Sequence, residues 1–193
     1  MDGNQPEKLT LLEQAGVPVF IVNPRTIRQV IDSLRRVGEL CGIGAQANAL
    51  ADQLSARVDA IVSKTADLPR PLVFLQINPK PVMTVNANTF LHDLIHLAGG
   101  RNMAADEPIT YPRISIEAVI QGKPQVILIS SMERGGDFAA ARQQWLNWPF
   151  IPAVRDGRVH LVDSDLTDRP SPRVIQGLEI MARLLHPEAD WGD

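Results

Sequence analysis

Residues 125–130 read QVILIS, and the architecture of the chain turns on how that run is read. It is apolar for most of its length, rich in β-branched side chains, and short. Such a run marks a strand covered on both faces. Outward from it the pattern alternates. SIEAVIQGKP (115–124) reads as a short helix with Ser115 at its N-cap. DFAAARQQWLN (137–147) is helical, RVHLVD (158–163) is a strand, and PRVIQGLEIMARLLH (172–186) is a closing helix. Upstream, PLVFLQI (71–77) and VMTVNA (82–87) read as strands, and TFLHDLIHLAGG (89–100) as a helix ending on a glycine pair. Strands alternating with helices predict an α/β fold with a mostly parallel sheet sandwiched between helical layers.

The first third of the chain reads differently. LTLLEQA (9–15) is the end of a helix stopped by Gly16, and VPVFIV (17–22) has the composition of a short buried strand. A buried strand needs neighbours on both sides, so the chain is expected to begin in the middle of a fold. Ile27, Val30, Ile31, Leu34, Val37 and Leu40 then recur at spacings of three and four, one apolar stripe on a helix broken by Gly42 and Gly44. A second helix, over 45–66, carries Ala47, Leu50, Leu54, Val58 and Ile61 on one face. At about 1.5 Å per residue it runs about 30 Å, long for a single crossover and suited to bracing two lobes.

Composition narrows the function classes. The 193 residues are 45 % hydrophobic and 21 % charged, globular values, with a net charge of −3. That balance argues against a nucleic-acid surface, which needs clustered excess Lys and Arg. A single cysteine, Cys41, excludes an internal disulfide. No run is apolar enough to span a membrane, and MDGNQPEK lacks the apolar core of a secretory leader.

Motifs for catalysis are weak. His92 and His96 lie four apart, a spacing that suits a metal, but HDLIH is not HExxH and no third ligand stands nearby, so surface histidines are expected. Cys41 reads as a small core residue on a helix. Ser130 and Ser131 follow a strand without a GxSxG elbow, and ERGGD (133–137) lacks the lysine and spacing of a phosphate loop. Three places point to binding instead. Trp145 and Trp148, in WLNWPF ahead of a loop and the GRVHLV strand, offer aromatic faces there or, as the commoner role, core packing. Tyr111, the only tyrosine, precedes Pro112 at the end of a polar loop, where its ring offers a stacking face or closes the core edge. DLTDRPSPR (165–173) follows strand 158–163 directly, and ligands of open α/β sheets sit beyond the carboxyl ends of strands. Asp165 and Arg169 there offer an acceptor and a forked donor, with Asp168 at the same loop mouth. Ser171 is expected to cap the following helix, and Pro172 to take its first turn.

The ordered set of GVPVFIVNPRTIRQVIDSLRRVGELCG, VFLQINPKPVMTVNANTFLHDLIHLAGGRNMAA, YPRISIEAVIQGKPQVILIS, WPFIPAVRDGRVHLVD and DRPSPRVIQGLEIMARLLHP resembles the periplasmic binding proteins that deliver vitamin B12, haem or ferric siderophores to ABC importers. The likeness covers nearly the whole chain and is strongest to the cobalamin-binding members. It implies a two-lobe protein with a long connecting helix. On that reading residues 1–23 are a remnant of an N-terminal lobe, 24–67 a helical connector, and 68–193 a C-terminal α/β lobe. Most of the first lobe would be missing, as in a truncated fragment. The resemblance places Tyr111, Asp165 and Arg169 on the ligand, with Tyr111 where cobalamin binders carry a tryptophan. It places Glu117 on the importer permease. It also implies a periplasmic or cell-surface setting and a transport role without catalysis. No cofactor is implied beyond the ligand itself, cobalamin or a related corrinoid. Haem or a ferric siderophore, the latter drawing on Arg113 and Arg169, is the alternative in the same family. A sensor or enzyme on the same fold is the alternative of another class. The unpaired strand 17–22 raises an expectation of swapped or homo-dimeric copies.

Overall fold

The computed structural model describes residues 6–130 and 138–192. Helix α1 (Pro6–Gln14) leads through Gly16, at φ +68°, into an irregular stretch. Helices α2 (Ile27–Leu40) and α3 (Gly44–Thr65) follow as a packed hairpin. Strand β1 (Leu72–Gln76) then enters the sheet, and a small antiparallel hairpin, β2 (Asn78–Pro79) and β3 (Val82–Met83), stands at its exit. Helix α4 (Phe90–Leu97), β4 (Arg101–Asn102), α5 (Ile116–Gly122) and β5 (Val126–Ile129) come next. The chain closes with α6 (Phe138–Leu146), α7 (Pro152–Arg155), β6 (Val159–Leu161), α8 (Ser164–Thr167) and α9 (Val174–Leu185).

The main sheet is four-stranded and wholly parallel, in the order β4-β1-β5-β6. Side-chain alternation assigns its two faces. Val73, Leu75, Val126 and Leu128 join α2, α3, α4 and α9 in one apolar cluster. Phe74, Ile127, Ile129 and Val159 face the other way, onto Val119, Ala141, Trp145, Ile151 and Ala153 of the α5–α7 side. Every residue of β5 is buried, as QVILIS requires. The expected three-layer α/β architecture is therefore present, with helices on both faces of a parallel sheet.

Local chemistry explains the boundaries. Thr26 Oγ accepts from Gln29 N at 3.1 Å and opens α2. The Ile27 amide donates to Asp93 Oδ2 at 2.7 Å, so a carboxylate on α4 meets the positive end of α2. Arg57 on α3 grips Glu179 on α9 through two bonds of 2.9 and 2.8 Å. That pairing raises the Arg57 pKa and ties the long helix to α9. With 22 residues, α3 extends about 33 Å.

Several sequence expectations are corrected. Residues 17–22 form no strand; their apolar side chains Val17, Phe20, Ile21 and Val22 are 38–48 % exposed and pair with no described strand. A β-branched run reports that it suits a covered surface, not what covers it. VMTVNA supplies only β3 to a local hairpin, because its continuation pairs with residues 110–114 instead of with the main sheet. The short β4 was not anticipated. The stripe on α2 is buried at Ile27, Val30 and Ile31, while Val37 and Leu40 are exposed; on α3, Ala51 is buried and Leu50 exposed. Cys41 is exposed at the end of α2 rather than in the core.

The α2–α3 hairpin makes a direct prediction. Gly38 is buried, and a β-carbon there would overlap the β-carbon of Ala47. Helix propensity alone would favour Gly38→Ala by about 1 kcal/mol. Overpacking is expected to win, so that Gly38→Ala lowers unfolding free energy by about 1–2 kcal/mol in urea titrations. Adding Ala47→Gly restores most of the loss; a single variant more stable than the parent would contradict this packing.

Candidate functional site

Because β1, β4, β5 and β6 are parallel, their carboxyl ends open on one edge of the sheet, the edge where ligands of such folds are held. The sequence-predicted residues lie on segments that leave this edge. Tyr111 belongs to an extended arm between β4 and α5. The arm is stitched to the chain beyond β3 by Ile114 N to Val82 O (3.0 Å), Thr84 N to Pro112 O (3.1 Å) and Asn86 N to Thr110 O (3.0 Å). Its base is fixed by Asn86 Nδ2 donating to Glu107 O and Asn102 Nδ2 donating to Val85 O, both at 2.9 Å. Pro112 is buried, while Tyr111 and Arg113 on either side are exposed. The alternation turns the tyrosine outward, 37 % exposed, with Ile109 on the same side at 65 %. Ile109 escaped the sequence reading because an isolated isoleucine in a polar loop carries no motif.

The second segment follows β6. Asp163 caps α8, its Oδ1 accepting from the Asp165 amide at 2.8 Å. One turn later Arg169 Nη2 lies 3.5 Å from Asp165 Oδ1, both side chains about half exposed. The predicted acceptor and donor therefore stand side by side in a loose ion pair. Asp168, between them in sequence, turns the opposite way. Its Oδ1 accepts from Ser130 Oγ at 2.7 Å and from Thr167 Oγ1 at 2.9 Å, linking the α8 turn to the end of β5. Its Oδ2 is buried without a hydrogen-bond partner among the described residues. Desolvation raises the Asp168 pKa above the ordinary carboxyl value, with nearby Asp163 adding to the rise, although the two hydroxyls oppose it.

Glu117 is exposed in the first turn of α5, directly beyond the tyrosine arm. Ser115 caps that helix as expected, its Oγ accepting from Ala118 N at 3.1 Å. Ser171 does not cap α9: its Oγ is buried without a partner among the described residues, and Val174 N bonds the Ser171 carbonyl instead. The α9 start is set by backbone geometry around Pro172. The structure thus brings Asp165 and Arg169 together beyond β6, and places Tyr111 on the arm after β4 with Glu117 following in the first turn of α5.

The remaining candidates fall into structural roles. Trp145 is buried, edge-on to Phe74 at 5.7 Å, and donates Nε1–H to Gln76 Oε1 at 2.6 Å, closing the floor beneath β1. Trp148 packs against it at 6.0 Å. His92 and His96 stack at 6.4 Å, and no cluster of metal-ligating side chains occurs among the described residues. Burial, with the neighbouring His96, lowers the His92 pKa, as expected of a neutral packed ring. Ser131 and ERGGD (133–137) lie outside the described residues. A cleft of about 130 Å³ among Arg70, Gln125, Arg158 and Glu188 sits at the amino edge of the sheet. There Arg70 is bonded to the His96 and Gly100 carbonyls, and Arg158 to those of Leu184 and Leu185.

The raised Asp168 value has a measurable consequence. A carboxyl that holds its proton more tightly folded than unfolded adds stability below the unfolded pKa, and this is lost as pH rises through the folded one. Stability is expected to fall as pH rises through the raised Asp168 pKa in the parent chain and to stay flatter in Asp168→Asn, measured by thermal unfolding across pH. Identical pH profiles would contradict the assignment.

Comparison with known proteins agrees with this architecture. The family model described as periplasmic binding protein matches residues 1–166. The vitamin B12-binding protein of Vibrio parahaemolyticus is 27 % identical over 176 residues, 91 % of this chain and 62 % of that protein. The vitamin B12-binding protein of Yersinia pestis is 28 % identical over 173 residues, 90 % of this chain and 59 % of that one. The chain thus spans about three fifths of the length of these curated relatives. Among solved structures, the periplasmic vitamin B12 binding protein BtuF of Vibrio cholerae superposes with a TM-score of 0.83 at 26 % identity, covering 96 % of this chain and 71 % of that one. A periplasmic heme binding protein of Pseudomonas aeruginosa gives 0.79 at 28 % identity, covering 97 % and 70 %. With a matched model over most of its length and the parallel α/β sandwich that the sequence patterning predicts, the chain belongs to the periplasmic binding protein family.

Proposed function

We propose that this chain belongs to the substrate-binding component of an ABC importer and captures cobalamin or a related corrinoid for delivery to the permease. The observation that carries the reading is the carboxyl edge of the sheet, from which the tyrosine arm and the Asp165–Arg169 pair both project. A corrin is a broad, largely apolar ring fringed with amides. Tyr111 and Ile109 offer it a π-face and an apolar shoulder. Asp165 accepts from an amide N–H, and Arg169 donates to an amide carbonyl. Exchanging their mutual contact for ligand contacts costs little, because both are already half solvated.

The rest of the assembly follows from the same reading. On this reading the relatives' additional length corresponds to a first, N-terminal lobe that closes the cleft, with α3 as the brace between lobes. Residues 1–23 are the trailing part of that first lobe, 24–67 the connector and 68–193 the second lobe. Glu117 meets arginines on the permease; an exposed carboxylate there sets the register of docking and speeds encounter. The setting is periplasmic or at the cell surface. In this role the protein binds its ligand rather than transforming it, as binding proteins of the family do. Haem is the second reading, favoured by the likeness to the Pseudomonas aeruginosa heme binding protein.

Titration with cyanocobalamin, followed by tryptophan quenching with inner-filter correction and with haem as comparator, tests the proposal. Saturable cobalamin binding is expected, weakened about 10-fold or more in Asp165→Ala with Arg169→Ala. A 3- to 10-fold loss is expected in Tyr111→Ala and little change in Tyr111→Phe, which keeps the π-face. Glu117→Ala should leave ligand affinity intact and weaken association with the importer. Tight haem binding without cobalamin binding would overturn the corrinoid reading in favour of haem.

A further inference from the structure

Asp165 and Arg169 owe their place to a helix of a single turn, α8, which is too short to hold its own shape. Its supports are few. Asp163 caps its start, and the Thr167 hydroxyl back-bonds to the Asp163 carbonyl at 3.0 Å. On one side it rests against α9, where a β-carbon added at Gly177 would stand 2.5 Å from Leu166 O. Among the described residues, the side-chain bonds from α8 and Asp168 to the sheet converge on Ser130, whose Oγ donates to Asp168 Oδ1 at 2.7 Å and lies 3.2 Å from Thr167 Oγ1. Ser130 and Thr167 are buried. A carboxylate with one oxygen sealed from water and without a partner among the described residues is costly to keep, and apolar packing would stabilise the turn more cheaply. Costs of this kind concentrate where a site is held in a required geometry. The geometry at stake is adjacent: the residue after Asp168 is Arg169, and the residue three before it is Asp165.

We propose that Asp168 is the positioning residue of the ligand rim: bonded inward to Ser130 and Thr167, it holds the α8 turn so that Asp165 and Arg169 face a ligand together. The proposal rests on the function proposed above and deepens it, because it names what sets the recognition pair rather than another group that touches the ligand.

Two measurements test it. The first is a cycle of cyanocobalamin affinities in the parent chain, Asp168→Ala, Asp165→Ala with Arg169→Ala, and all three together. If Asp168 acts through the rim, its removal costs about 10-fold in the parent background and less than 2-fold where the rim is already gone. Asp168→Asn, which keeps an acceptor for both hydroxyls, should recover affinity to within about 3-fold. Equal losses in both backgrounds, or no recovery with asparagine, would overturn the proposal. The second measurement needs no ligand and no change at Asp168. Ser130→Ala removes the same bond from the sheet side, and hydrogen exchange at the Leu166, Thr167 and Asp168 amides should speed up at least 10-fold while the amides of β1 and α9 stay unchanged. Unchanged exchange in α8 would overturn the anchor. Absence of cobalamin binding by the parent chain would count against the corrinoid function alone, and the exchange result would still decide the anchor.

Discussion

The structure depends on the pairing of β1 with β5. Val73 through Gln76 lie in register beside Val126 through Ile129, and all eight residues are buried. A parallel pair sealed on both faces cannot stand without helices above and below it. It also cannot be joined by a tight turn, so each return of the chain crosses a face as a helix. The consequence for function is geometric. Successive strands end on one edge, and the segments that leave them are gathered there whatever their sequence. The tyrosine arm and the α8 turn are two such segments, and the sheet, not their own composition, brings them to the same side.

What the loops do at that edge is decided by hydrogen bonding on a finer scale. The arm carrying Tyr111 is rigid because its backbone pairs with residues 82–86 and because buried asparagines close its base. The α8 turn is rigid because a carboxylate reaches inward to a serine at the end of β5. Both segments present exposed side chains, the proposed recognition groups, on a buried polar footing. This arrangement suits a receptor that meets its ligand with little reorganisation, since ordering a loose rim on binding would consume affinity.

The sequence revealed the layers more readily than the rim. Apolar runs such as QVILIS and LVFLQ are legible because only a doubly covered strand tolerates them. The same reasoning misassigned VPVFIV, since composition states a preference for burial and the partner strand must come from elsewhere; no described residue pairs with it. Cys41 and Ser171 were misread for a related reason. Each sits at a helix end, where a shift of one or two residues exchanges a cap for a neighbour and an inward face for an outward one. In DLTDRPSPR the aspartates are alike in sequence, yet Asp165 faces water and Asp168 faces Ser130. Their distinction comes from the register of a single helical turn on the sheet, a tertiary fact with no local signal. Resemblance to a family selected Asp165 and Arg169 for the ligand but was silent about the residue that holds them.

The central claim is that the carboxyl edge, not the arginine-lined cleft at the amino edge, receives the ligand. Heteronuclear NMR of the labelled chain titrated with cyanocobalamin tests it most directly. The account predicts saturable shift changes concentrated at Ile109, Tyr111 and residues 164–169, with Arg70, Gln125, Arg158 and Glu188 unmoved. Changes centred on that second group, with the tyrosine arm and the α8 turn silent, would contradict it.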